Sequence, residues 1–298
     1  MNRLLLSILL ILVGGSAEAA AEEAAPRVMS FVYNRNQSDL DGVDRYVWRV
    51  LDLALRRTRG RYGDYRLVSV PTMPTHRRAY TLEHGLEGVT VGLFSDNAER
   101  EKSLVPVRIP VDRGLTGYRL LLIQSADQPH FSAVTGPAEL QKFRFGLLPW
   151  WDDDAVMRRA GLPVVPGVSY QGLFQMLAAH RFDALSRSAR EVLPEYEKMK
   201  SAMPGLAVEK HLVLHYPMPV YFWFRDDGEG RRRAERVKAG LEQMVADGTL
   251  KKMFDAEFGS SLARLDLAHR LVVELPNPLL DAKTLPENPA LWYRPWSN

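Results

Sequence analysis

The sequence predicts an α/β protein made of two similar units. Strand and helix patterns alternate from residue 28 onward, and this alternation is typical of a parallel sheet flanked by helices. The alternation begins again near residue 143, so a second unit follows the first. The chain contains no cysteine, so neither unit depends on disulfide bonds.

The first unit has short apolar runs that read as buried strands, separated by apolar residues at helical spacing. The predicted strands cover 28–33, 65–70, 88–94 and 118–124. One helix is predicted over 43–54, and a short one over 75–85 ends at Gly85.

The second unit repeats this order. Strands are predicted over 143–149, 162–167 and 182–186. The helix over 152–161 has an acidic first turn that complements its dipole, and Ser169 is the predicted N-cap of the next helix.

The last third of the chain begins with a strand-like segment over 211–227, which Pro217 and Pro219 interrupt. Two amphipathic helices follow and are predicted to end at Gly248 and Gly259. The tail from residue 276 is rich in proline and tryptophan, so we expect it to be an ordered wrap without regular structure.

The N-terminus has the pattern of a secretory signal peptide. An apolar run from Leu4 to Val13 precedes the small residues Ala17 and Ala19. The run is too short to span a bilayer, which needs about 20 residues. We therefore expect residues 1–19 to be removed, leaving a mature protein in the periplasm that does not span a membrane.

The net charge of +3 is too small to predict a nucleic-acid partner. Two arginine runs, at 56–61 and 231–236, lie beside helical patterns and are expected to be solvated faces.

Three stretches carry a resemblance to a known family. These are "VPVRIPV", "VSYQGLFQMLAAHRFDALSRS" and "LVLHYPMPVYFWFRDDGEG" in that order. Together they resemble the family 3 periplasmic solute-binding proteins, whose type II binding fold is typified by amino-acid receptors of ABC transporters.

The resemblance implies two lobes, each a mostly parallel sheet flanked by helices, joined by two hinge strands. Lobe 1 would comprise 26–122 and 224–298, and lobe 2 would comprise 123–223 with the return segment. It also implies a monomeric, non-enzymatic receptor without a cofactor, which captures a small molecule between its lobes and passes it to an inner-membrane permease or sensor.

Arg100 stands where the family's ligand-carboxylate arginine is found, in "NAER", with Asn97 in place of a threonine. A guanidinium binds a carboxylate through two parallel charge-assisted bonds. The alternative is a surface arginine paired with Glu99 or Glu101.

Arg187 and Ser188 occupy the region in which family members carry an aspartate for the ligand ammonium group. A cation cannot bind an ammonium, so we expect a ligand other than a standard α-amino acid. It would be an anion gripped by Arg100 and Arg187, or a largely apolar molecule such as a lipid or sterol. The alternative for Arg187 is a salt bridge to Glu191 or Glu195 at the surface of lobe 2.

Aromatic side chains at predicted strand ends and helix starts suggest walls for the cleft. The alternative is that half or more of them belong to the core. The candidates are Tyr33, Phe94, Trp151, Tyr170, Tyr216 and Tyr221.

Catalytic and metal sites are not predicted. Ser188 lacks a nucleophile elbow, and His211 and His215 have no third metal ligand in view. The acidic run 152–154 is explained by the helix dipole. The enzyme alternative is a secreted dehydratase-like protein on the same fold that uses a cleft carboxylate.

Overall fold

The architecture is that of a computed structural model whose described residues are 28–34, 43–71, 73, 75–281 and 285–296. The predicted signal peptide, residues 1–19, lies outside them. Among the described residues, no helix combines the length and the apolar character that crossing a membrane requires.

Strands and helices alternate along the chain as the sequence predicts. The strands are β1 (Met29–Asn34), β2 (Tyr65–Val70), β3 (Gly92–Ser95), β4 (Leu104–Val107), β5 (Tyr118–Gln124), β6 (Phe145–Leu147), β7 (Val164–Pro166), β8 (Ala184–Ser188), β9 (Leu206–Val208), β10 (Leu212–His215), β11 (Val220–Arg225) and β12 (Leu271–Glu274). The helices are α1 (Val43–Arg57), α2 (Arg59–Tyr62), α3 (Thr75–Glu83), α4 (Gln128–Ser132), α5 (Pro137–Leu140), α6 (Asp152–Arg159), α7 (Tyr170–Ala178), α8 (Val192–Met199), α9 (Gly228–Ala246) and α10 (Thr249–Leu265).

Lobe 1 contains the parallel pair β1–β2 and the three-stranded sheet β3–β11–β4. The backbone N–H groups of Thr90 and Val91 donate to the carbonyl oxygen of Val32 at 2.9 and 3.2 Å, which joins β1 to the chain leading into β3. Helices α1, α9 and α10 pack together on this lobe. Gly240 of α9 lies so close to α1 that an added Cβ would stand 2.2 Å from the carbonyl oxygen of Ala54.

Lobe 2 is built on a seven-stranded sheet with the order β12–β10–β5–β8–β6–β7, and β9 also pairs with β5. Helices α6 and α7 follow β6 and β7 in the chain. The predicted N-cap of α7 is present, because the backbone N–H of Gly172 donates to the Ser169 hydroxyl at 3.0 Å. This cap satisfies one of the unpaired donors at the start of the helix.

The direction of strand pairing separates β5 and β11 from the other strands. Each antiparallel pair of the described sheets includes β5 or β11. The remaining pairs, β1–β2, β6–β7, β6–β8 and β10–β12, are parallel. The parallel pairs predicted by the alternating pattern are therefore combined with one strand in each lobe that pairs antiparallel to its neighbours.

The lobe boundaries differ from the predicted positions at 122 and 223. Strand β5 belongs to the sheet of lobe 2 from residue 118, and β11 belongs to lobe 1 from residue 220. The connections are thus 108–117 and 216–219. They touch, because a Cβ added to Gly117 would lie 2.2 Å from the carbonyl oxygen of Tyr216.

The C-terminal segment also departs from the prediction, which placed all of 224–298 in lobe 1. Strand β12 pairs with β10 in lobe 2. The chain then follows the connections: Asn277 Nδ2 donates to the carbonyl oxygen of Pro217 at 2.8 Å, and the Tyr293 N–H donates to that of Arg113 at 2.7 Å. The predicted wrap therefore lies along the junction of the two lobes.

Alternating side chains of the central strands serve two different cores. On β5, Leu120 and Leu122 face one cluster, and Leu121 and Ile123 face the other. Such alternation is the period-2 geometry of a strand buried on both faces. The same rule places Tyr221 of β11 in a small core beside α3.

Candidate functional site

A cavity of about 160 Å³ lies between the lobes. Its walls come from the carboxyl ends of β3, β6 and β8 and from the first residues of α6 and α7. Ligands of open α/β sheets bind at this place, beyond the carboxyl ends of the strands. The arginines and carboxylic acids that line it are Arg78, Arg100, Arg119, Arg187, Arg190, Asp152, Asp153 and Glu191.

Arg100 forms a two-bond pair with Asp152. Its two terminal nitrogens lie 2.9 and 3.0 Å from the two carboxylate oxygens. Ser95 Oγ also donates to this carboxylate, and Asn97 Nδ2 lies 3.4 Å from it. Arg100 follows β3 in lobe 1, whereas Asp152 begins α6 in lobe 2, so the pair spans the cleft.

Arg119 and Asp153 form a second pair at the floor of the cavity. A terminal nitrogen of Arg119 lies 3.0 Å from Asp153 Oδ1, and the Tyr216 hydroxyl donates to the same oxygen. Arg119 is almost fully buried, with 2% of its side chain exposed. A buried guanidinium of this kind needs a carboxylate and further acceptors, which the carbonyl oxygens of Thr116 and Ser186 supply.

Arg187 lies in a buried cluster with two glutamates. Its Nε and one terminal nitrogen each lie 2.5 Å from an oxygen of Glu195, and a terminal nitrogen lies 3.2 Å from Glu191. The guanidinium also stacks over the rings of Trp151 and Tyr170, 4.6 and 5.7 Å from their centroids. The salt-bridge alternative for Arg187 is therefore observed, but in the interior and not at the surface.

Burial and the arginines act in opposite directions on these carboxyl groups. Burial alone would raise the pKa of Glu191, but Arg187, Arg119 and Arg190 outweigh it and lower that pKa to about 2. Glu195 is fully buried, and this burial raises its pKa despite the neighbouring Arg187. Glu191 therefore stays ionised at the cavity wall, a state opposite to that of a general acid.

Five of the ten predicted ligand residues line the cavity: Phe94, Arg100, Trp151, Tyr170 and Arg187. Phe94 lies beneath the Arg100 guanidinium, with its ring centroid 5.5 Å from the central carbon.

The other five lie behind the wall or away from it. Asn97 lies beside Asp152, and Ser188 is fully buried with its hydroxyl donating to Glu191. Tyr216 and Tyr221 are completely buried, and Tyr33 stacks on Trp48 with ring centroids 3.9 Å apart. For the tyrosines the core alternative fits their surroundings better.

The sequence reasoning missed Asp152, Asp153 and Arg119. The acidic run after β6 was explained by the helix dipole alone. A second signal was present, because an acid at the start of a helix that follows a strand lies at the cleft edge of the sheet.

An apolar ligand such as a lipid or sterol does not fit this lining. The cavity of about 160 Å³ is smaller than the 300–1,000 Å³ of typical ligand pockets, so a molecule of that size exceeds it. Within the described part of the chain, no three His, Cys, Asp or Glu side chains are grouped to hold a metal ion.

Comparison with known proteins reveals similarity at the level of the fold. No family model matches the chain, and no curated protein matches it.

Among solved structures, an ancestral arginine-binding protein bound to arginine is 16% identical with a TM-score of 0.57. The alignment covers 77% of this chain and 98% of that protein. The GluR0 ligand-binding core complexed with L-glutamate is 11% identical, with a TM-score of 0.57 and coverages of 77% and 97%. An amino acid ABC transporter substrate-binding protein from Streptococcus pneumoniae bound to L-arginine is 14% identical, with a TM-score of 0.55 and coverages of 78% and 95%.

The chain has the type II periplasmic-binding-protein fold. Its two lobes, their connections and the cavity between them therefore have the general arrangement that the resemblance in the sequence implied. In a two-lobed fold of this kind, hinge closure changes the distance between groups on opposite sides of the cleft. Arg100 and Asp152 lie on opposite sides of the cleft, so hinge closure would change the distance between them.

Proposed function

We propose that this protein is a periplasmic solute-binding protein that closes its two lobes on a small anionic solute. The observation that carries the proposal is the two-bond pair between Arg100 and Asp152 across the cleft. Arg100 is positioned to bind a carboxylate in the bidentate manner, and in this structure that carboxylate belongs to Asp152 of the opposite lobe. A solute carboxylate would bind the same donors by exchange with Asp152.

The surroundings of the cavity favour negative charge. The first residues of α6 and α7 line it, so the positive ends of two helix dipoles point toward the solute. The lining also contains five arginines against three carboxylic acids, so positive charge exceeds negative charge around the cavity. The cavity of about 160 Å³ favours a solute smaller than the typical occupants of 300–1,000 Å³ pockets.

The proposed solute carries a carboxylate but no ammonium group. An ammonium would need an acceptor near Ser188, and there the Ser188 hydroxyl donates to Glu191, which Arg187 also engages. Proteins of similar fold are bound to arginine, glutamine or glutamate, so free amino acids are the ligands to compare with the proposed solute.

Isothermal titration calorimetry with succinate, L-glutamate and L-arginine tests this function. We expect succinate to bind more tightly than either amino acid, and Arg100→Gln to abolish its binding. Arg158→Gln is the matched control, because Arg158 pairs with Asp154 inside α6. Binding of succinate that is equal in wild type and Arg100→Gln would contradict the proposal.

The membrane partner is proposed to be a permease or a sensor of the inner membrane. A substrate-binding protein of an amino acid ABC transporter has a similar fold, which supports the permease. The proposed monomer, exported by the segment 1–19, would be recovered in the periplasmic fraction of fractionated cells. Recovery in the cytoplasm of an exporting host would contradict this placement.

A further inference from the structure

The donors that a solute carboxylate needs are already occupied by a carboxylate of the protein. Asp152 receives two bonds from Arg100 and one from the Ser95 hydroxyl, and Asn97 Nδ2 stands 3.4 Å away. The Arg100 and Asp152 side chains are only 16% and 14% exposed. The Arg100–Asp152 ion pair is charge-assisted, bidentate and largely screened from water. Ion pairs with these properties are among the stronger ones.

The pair can exist only while the lobes are together. Ser95 is the last residue of β3 in lobe 1, and Asn97 and Arg100 follow it, whereas Asp152 is the first residue of α6 in lobe 2. The lobes are joined by the connections 108–117 and 216–219, and two-lobed folds of this kind open and close by hinge motion at such connections. Opening of the cleft separates the guanidinium from the carboxylate, so the pair favours the closed form.

We propose that Asp152 is a tethered competitor for the solute, which holds the cleft closed when no solute is bound and thereby sets the specificity of the site. Only a solute whose own carboxylate replaces Asp152 on Arg100 gains access to the donors of lobe 1. The closure by Asp152 stands on the geometry alone. The identity of the competing solute rests on the proposed function.

The competition has a quantitative consequence. If only the form with Asp152 released accepts the solute, the apparent dissociation constant is the intrinsic one divided by the released fraction. A released fraction of about 1–10% weakens binding by about 10- to 100-fold. Removal of the Asp152 carboxylate should therefore strengthen the binding of carboxylates by about this factor, whereas an ordinary binding residue would weaken it.

Asp154 provides a matched control within the same helix turn. Its carboxylate accepts a bond from Arg158 Nε at 2.8 Å, four residues further along α6. Asp154→Ala therefore removes an acidic side chain from the N-terminus of the same helix and leaves the Arg100–Asp152 pair intact.

Small-angle X-ray scattering without added solute measures the closure. A compact chain of this length has a radius of gyration of about 19 Å. We expect wild type and Asp154→Ala to be compact, and Asp152→Ala to have a larger radius with unchanged circular dichroism. Asp152→Asn, which keeps the size of the side chain and removes its charge, should also open if the alanine variant does not fold. Variants of Asp152 that fold and remain as compact as wild type overturn the proposal.

Calorimetry with succinate then separates this inference from the proposed function. Tighter binding of succinate to Asp152→Ala than to wild type, by about 10-fold or more, supports both. If Asp152→Ala is open but binds no carboxylate, the proposal that Asp152 closes the cleft stands and the proposed solute is wrong. If wild type binds succinate but Asp152→Ala stays closed, the proposed solute stands and the proposal that Asp152 is a tethered competitor is wrong.

Discussion

Replacement of Arg187 by methionine tests whether this guanidinium is structural. Its side chain is 5% exposed and that of Glu195 is fully buried, so the substitution leaves Glu195 without its main countercharge. Breaking a buried pair in this way costs about 3–5 kcal/mol. For a chain of this size we expect a fall in Tm of about 10 °C.

The loss should depend on pH in a defined direction. Burial already raises the pKa of Glu195, and removal of Arg187 raises it further. A carboxyl group with a higher pKa in the folded state than in the unfolded state binds more protons when folded, so the variant loses stability as pH rises through the two pKa values. The deficit of the variant should therefore be smaller near pH 5 than near pH 8.

Urea unfolding followed by tryptophan fluorescence measures the free energy of unfolding of both proteins. Arg158→Met is the control, because Arg158 is half exposed and its pair within α6 is expected to contribute less than about 1 kcal/mol. A stable Arg187→Met protein, within about 1 kcal/mol of wild type but unable to bind succinate, would refute the structural reasoning and make Arg187 a ligand residue.

Two further predictions concern stability. Burial raises the pKa of Asp96 to about 6 from an ordinary 3.8, so its ionisation opposes folding as pH rises through this window. Relative to wild type, Asp96→Asn should therefore gain stability as pH rises from 4 to 7, measured as the free energy of unfolding by urea titration; a difference independent of pH would contradict this. Gly240→Ala should destabilise the protein, because its Cβ would stand 2.2 Å from a backbone oxygen of α1. Gly259→Ala in α10 has open space and should stabilise by up to about 1 kcal/mol; thermal unfolding that ranks the two variants in the opposite order would contradict the packing.

The sequence predicted the elements whose patterns are local. Strand β2 has the predicted bounds 65–70, and the Ser169 cap begins α7 as expected. The end of α10 was wrong, since the helix continues through Gly259 to Leu265. Leu262 and Leu265 are buried, and their burial outweighs the low helix propensity of one glycine.

Long-range contacts explain what the sequence could not provide. Strand β12 was missed because its four residues form a strand only by pairing with β10, which is distant in the sequence. Asp152 was explained by its local helix, yet its partner Arg100 is 52 residues earlier. Arg187 was expected to have either a ligand or a salt bridge, and only its three-dimensional surroundings distinguish these.

Native mass spectrometry of protein purified without denaturation tests the central claim most directly. The claim is that the cleft holds a small acid on Arg100, in exchange with Asp152. We predict that Asp152→Ala retains one small acidic molecule per chain and that Arg100→Gln retains none. Retention of the same molecule by Arg100→Gln, or recovery of an apolar passenger in organic solvent, would contradict the claim.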